Sequence, residues 1–134
     1  MSEHDVLQQW LQKAADDLES AAVLLKAGLL ANGCYHAQQT GEKALKAYLS
    51  LCEEDVPYSH NLSILCKLCA EKDGKFLEIL SPASDLTDYA VNTRYPGDDS
   101  VSEAEAEDCI QKARQIFMFV QEHLDFPEGA PCST

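Results

Sequence analysis

Apolar side chains recur in steps of four and three from the start of the chain: Leu7, Leu11, Ala14, Leu18, Ala21 and Leu25. That spacing lines them along one stripe and predicts an amphipathic helix over residues 5–27, with Trp10 and Leu24 widening the stripe. Gly28 then stands where a left-handed residue stops a helix. A second stripe, Cys34, Ala37 or Gln38, Gly41, Leu45, Tyr48 and Cys52, predicts a helix over 31–53. Its small residues Ala37, Gly41 and Ala44 would let another helix approach closely. The short link between these two long helices makes them an antiparallel hairpin.

Pro57 cannot continue a helix, so residues 53–60 are expected to form a loop. A shorter helix follows over 62–71, closed by Lys72-Asp-Gly74. Residues 76–93 read as helical with an interruption at Ser81-Pro82, where Ser81 is a cap and Pro82 the first helical residue. Leu86, Tyr89 and Ala90 of this segment are expected to face inward, and residues 95–99 to form a turn. Ser102 and Glu105 match a capping box, and acidic residues 103–108 suit the positive end of the helix that follows. Ala106, Ile110, Ala113, Phe117, Val120 and Leu124 supply its apolar stripe. No segment alternates with period two. The fold class is therefore all-α, an up-and-down bundle of about five helices, with one domain over 1–125 and a flexible tail over 126–134.

Composition narrows the function. At 134 residues there is room for one core. The net charge of −13 opposes a phosphate backbone at long range, which argues against DNA and non-specific RNA binding. A local cluster of Arg, Lys and His could still hold a small anion or one RNA end. The excess acid also suits a basic surface on a partner. No apolar run reaches the roughly 20 residues of a membrane span. The acidic start is unlike a signal peptide, so a cytoplasmic location is expected.

Six cysteines raise the question of metal or redox work. Cys66 and Cys69 form a Cys-x-x-Cys pair, but within a helix and without a second pair at zinc-ribbon spacing. Cys34, Cys52 and Cys109 also fall on or beside apolar positions, where a thiol acts as a small hydrophobe. Buried structural cysteines are the expectation, with no metal and no cofactor, and Cys132 exposed in the tail.

The second helix carries more chemistry than a core helix needs. His36, Gln39, Lys43 and Lys46 are spaced by three, four and three, so they share one face, with Gln38 and Glu42 on the neighbouring strip. One reading is an ordinary solvent face with a Glu42–Lys46 pair worth a few tenths of a kcal/mol. The other is the wall of a cleft. His60 in its proline loop could be a helix cap or a site residue, and Arg94 a dipole partner or a phosphate ligand.

The order of these motifs resembles the HEPN family, a nucleotide-binding domain named from higher eukaryotes and prokaryotes. The resemblance rests on Trp10-Leu-Gln-Lys-Ala-Ala-Asp-Asp-Leu18, Tyr35-His-Ala-Gln-Gln-Thr-Gly-Glu-Lys-Ala-Leu-Lys46, Ser59-His-Asn-Leu62 and Thr93-Arg-Tyr-Pro96, and covers roughly residues 6–124. It implies a helical bundle that dimerises with a cleft near the dimer interface. Many prokaryotic members are encoded beside a minimal nucleotidyltransferase and complex with it, sometimes as a toxin–antitoxin pair. Toxic members are metal-independent RNases whose arginine is followed after four to six residues by a histidine in a late helix. This chain departs from that motif. Arg94 has no histidine nearby, and eight residues separate Arg114 from His123.

The expectation is therefore a non-catalytic homodimer that binds a nucleotide-like ligand, a minimal nucleotidyltransferase, or both. His36, Lys43, Lys46, His60 and Arg94 would meet phosphate, while Gln39 and Tyr95 contact a base or partner backbone. His36, His60 and Arg94 are expected to converge. The alternatives are an RNase with an atypical Arg/His site, and an interaction module without a ligand.

Overall fold

The computed structural model describes residues 2–52, 56–92 and 101–124. Five helices follow one another: α1 (Glu3–Lys26), α2 (Leu30–Cys52), α3 (Leu62–Lys72), α4 (Leu80–Asn92) and α5 (Glu103–Leu124). There is no strand among the described residues. Several of the boundaries have a local cause. Ser2 and Asp5 exchange side-chain and backbone hydrogen bonds at the start of α1, and Ser102 and Glu105 do the same at the start of α5. At the end of α1, Gly28 adopts φ 80°, and its N–H bonds the Leu25 carbonyl while that of Leu29 bonds Leu24. This is the paired closure that a left-handed residue makes possible, and it turns the chain directly into α2. The cap of α3 is Asn61, whose side chain accepts from the Ile64 N–H, so His60 is released from that role.

The segment before α4 differs from the sequence reading. Gly74–Ile79 forms a 3-10 helix, and α4 begins at Leu80. The break thus falls two residues ahead of Pro82. Proline sits comfortably within the first turn because the N–H it lacks would have no partner there. Ser81 is not the cap. The Ala90 side chain, residues 95–99 and the 126–134 tail lie outside the described residues.

Helix α2 is the axis of the bundle, packed against each of the other four α-helices. Its position explains Gly41. A Cβ there would stand 2.5 Å from Leu62 Cδ2 and 3.5 Å from Ile116 and Leu86 side-chain carbons. Ala37 and Ala44 are likewise fully buried. The small-residue stripe therefore admits α3, α4 and α5 within one chain, and is not left as free surface for a second copy.

The core is built from Leu45, Tyr48, Leu49, Leu62, Leu65, Phe76, Ile79, Leu86, Ile116 and Val120, all essentially without solvent exposure. Cys34, Cys66, Cys69 and Cys109 are buried among them, and the five described cysteines are free thiols. The Cys66 thiol donates to the Phe76 carbonyl, and burial pushes its pKa up to about 11. Cys69 is raised further by burial beside Cys66 and Cys52. Such thiols stay protonated and pack as small apolar groups.

Candidate functional site

Two buried carboxylates organise the polar face of α2. Asp17 stands within the apolar stripe of α1, three residues after Ala14 and four before Ala21, so the helix carries it inward. It meets α2 from across the hairpin. The His36 Nδ1–H donates to Asp17 Oδ1 at 2.8 Å, and the Lys43 ammonium bonds Asp17 Oδ2. Glu42, next to Lys43 on α2, repeats the arrangement. Lys46 donates to Glu42 Oε2 at 3.0 Å, and the His60 Nδ1–H donates to Oε1 at 3.0 Å. Each carboxylate thus holds one imidazole and one ammonium.

Gln38 and Gln39 complete the second cluster. The Gln38 amide donates to the His60 carbonyl at 2.9 Å and to Glu42 at 3.5 Å, and Gln39 donates to Gln38 Oε1. His60 is consequently fixed to α2 through both main chain and side chain, although its own side chain is 74% exposed. Nδ1 is engaged by Glu42, and most of the ring meets solvent. The Glu42–Lys46 pair is not the surface pair that its spacing suggests. The two side chains are 5% and 8% exposed, and the buried side-chain polar atoms of the described residues all have partners.

A cleft of about 450 Å³ opens between α1 and α2 beside these clusters. Val6, Gln9, Trp10 and Lys13 form one wall, and Glu42, Lys43 and Lys46 the other. Lys46 Nζ lies 5.9 Å from the centre of the Trp10 ring, at the outer limit of a cation–π contact. His36 lines a different groove of about 570 Å³, together with Asp16, Glu19, Ser20, Val23 and Leu24. Two acids make that groove a poor phosphate site.

The residues singled out in the sequence therefore divide. Lys43 and Lys46 share a cleft, His60 and Gln39 reach Lys46 through Glu42 and Gln38, and His36 is tied to Lys43 through Asp17. Arg94 and Tyr95 lie outside the described residues. Arg114 and His123 are nine residues apart on α5, two and a half turns, which puts them on opposite sides about 13 Å apart along the axis. Arg114 lines a groove with Lys26 and Glu107, whereas His123 stacks on Phe119 and bonds its carbonyl. Trp10, Lys13 and Asp17 were missed as site residues. Asp17 carried a signal all the same, an acid three residues after Ala14 and four before Ala21, a spacing that turns it toward the inward side of α1.

Known proteins share this arrangement of helices. The HEPN domain family matches residues 7–123. This chain belongs to the HEPN domain family. The chain is 27% identical over 130 residues to a protein of Methanocaldococcus jannaschii named "Putative toxin MJ1304", covering 86% of each. The solved structure of TT1696 from Thermus thermophilus superposes with a TM-score of 0.76 at 29% identity, covering 87% of this chain and 96% of that one. ST0689, described as an archaeal HEPN homologue, gives 0.74 at 25% identity, covering 89% and 98%. The match spans both halves of the α1–α2 hairpin, so the clusters around Asp17 and Glu42 lie inside the HEPN domain. No described helix is long and apolar enough to cross a membrane.

Proposed function

We propose that this HEPN protein is a toxin-type component that acts by binding: a homodimer that holds a nucleotide-like ligand, a minimal nucleotidyltransferase partner, or both, and is not itself catalytic. The observation that carries this reading is the pair Lys43 and Lys46 on the wall of the α1–α2 cleft, each steadied by a buried carboxylate. The name of the Methanocaldococcus jannaschii relative supports the toxin class. The two and a half turns of α5 between Arg114 and His123 support the non-catalytic part, since phosphodiester cleavage needs a base and a cation at one phosphate.

Affinity is expected between micromolar and millimolar, about −8 to −4 kcal/mol, because a few ammoniums act against a net charge of −13. Titration calorimetry with nucleoside mono- and diphosphates tests this. Saturable binding that weakens with salt and in Lys43→Ala supports it, and no heat at millimolar ligand overturns it.

One observation favours a second reading, a metal-independent RNase with an atypical site. His60 is backed by the buried Glu42 with most of its ring exposed, the placement of a general base. RNA cleavage in chelator that is lost in His60→Ala would establish it and displace the first.

A further inference from the structure

The cleft between α1 and α2 has a direction that follows from the two helices' registers. On α1, Val6, Trp10, Lys13 and Asp17 are spaced by four, three and four, so they form one stripe facing α2. The antiparallel α2 opposes Lys46 to Trp10 and sets Lys43 against Asp17. Val6, Trp10 and the Glu42-paired Lys46 thus lie toward one end of the cleft, and Lys13 and Lys43 toward the other. Trp10 is half-buried, so part of its ring meets solvent in the cleft, and Lys13 is exposed. Around the cleft stand three ammoniums, Lys13, Lys43 and Lys46, against the two carboxylates Asp17 and Glu42 that pair with Lys43 and Lys46. The surplus cation is Lys13. On a chain with 23 acidic and 10 basic residues, a local positive surplus beside an aromatic ring is a selective feature.

Resting on the binding function proposed above, we infer that this cleft seats a nucleoside monophosphate in one orientation. The flat base lies against Trp10 and Val6, and the phosphate bridges Lys13 and Lys43. Stacking on the indole supplies sequence-tolerant affinity for any base. The phosphate takes up the surplus charge of Lys13 and shares Lys43 with Asp17, without breaking the buried Glu42–Lys46 pair. The volume of about 450 Å³ falls within the range of small-ligand sites. Helix α1, which carries none of the candidate site residues read from the sequence, would then supply half of the contacts.

The chain's single tryptophan makes the test direct, because its fluorescence reports this cleft alone. AMP, adenosine and inorganic phosphate are titrated separately, with calorimetry in parallel. AMP should change Trp10 emission saturably, adenosine should do so more weakly, and phosphate should compete with AMP while leaving emission nearly unchanged. Lys13→Ala should weaken AMP about tenfold, the loss of one charged hydrogen bond. The remote, exposed Lys67→Ala, which makes the same change in net charge, should not. In Trp10→Ala, calorimetry should show phosphate competing as before and AMP weakened. Calorimetric AMP binding with silent Trp10 emission and an unaffected Lys13→Ala would overturn this site and leave the binding function standing. Binding by phosphate as tight as by AMP would overturn the stacking. No binding by either method would overturn both.

Discussion

Asp17 and Glu42 decide what the lysines and histidines of this site are able to do. A buried ammonium without its counter-ion is far costlier than the intact pair is stabilising. Glu42→Ala should therefore lower unfolding free energy by about 3–5 kcal/mol in urea titrations, by stranding Lys46 and releasing His60. Pairing it with Lys46→Met should restore much of that loss. A loss in Glu42→Ala below about 1 kcal/mol would mean that the pair behaves as a surface pair. The sequence made the α2 face legible, because His36, Gln39, Lys43 and Lys46 follow the helix period. The i,i+4 spacing also made the Glu42–Lys46 pair legible, but not which acids hold His36, Lys43 and His60. That depends on Asp17 arriving from another helix and on His60 arriving from a loop, and neither placement is encoded in a local period.

At the scale of elements, the fit of α2 into its neighbours is the tightest constraint. Gly41→Ala would drive a methyl into Leu62, itself fully buried at the start of α3. Overpacking costs about 1–3 kcal/mol, and the helix-propensity gain of roughly 1 kcal/mol over glycine offsets part of it. The expected net result is a lowered melting temperature, with a larger drop for Gly41→Val. An unchanged or raised value in both variants would refute close packing at this crossing. The helices themselves were readable from apolar spacing and caps to within a residue or two. The 3-10 turn over Gly74–Ile79 was not, because tertiary packing of Phe76 and Ile79 into the core selects it over a continued α-helix.

The buried thiols add a dependence on pH. Cys66 is raised to about 11 by burial, and Cys69 and Cys109 are raised as well. A thiol whose pKa is higher folded than unfolded is neutral in the native state while the unfolded state loses its proton. Stability from this source is intact below the ordinary thiol range and falls as pH rises from about 8.5 toward 11. Urea midpoints measured between pH 7 and 10.5 should decline, and decline less steeply in Cys66→Ala. Equal slopes for the two proteins would contradict the assignment.

For the molecule as a whole, a net charge of −13 opposes compaction and opposes anionic ligands alike. Salt should therefore act in two directions: raising the melting temperature by screening self-repulsion, and weakening nucleotide binding by screening the lysines. A melting temperature that falls with added sodium chloride would contradict the first half. We propose that a HEPN bundle this acidic nonetheless keeps an anion-binding cleft between α1 and α2. Its most direct test is a nitrogen-15 NMR titration with a nucleoside monophosphate. Saturable shifts confined to Val6, Gln9, Trp10 with its indole N–H, Lys13, Lys43 and Lys46 are expected. Shifts centred on the Lys26–Arg114 groove, or none at millimolar ligand, would contradict it.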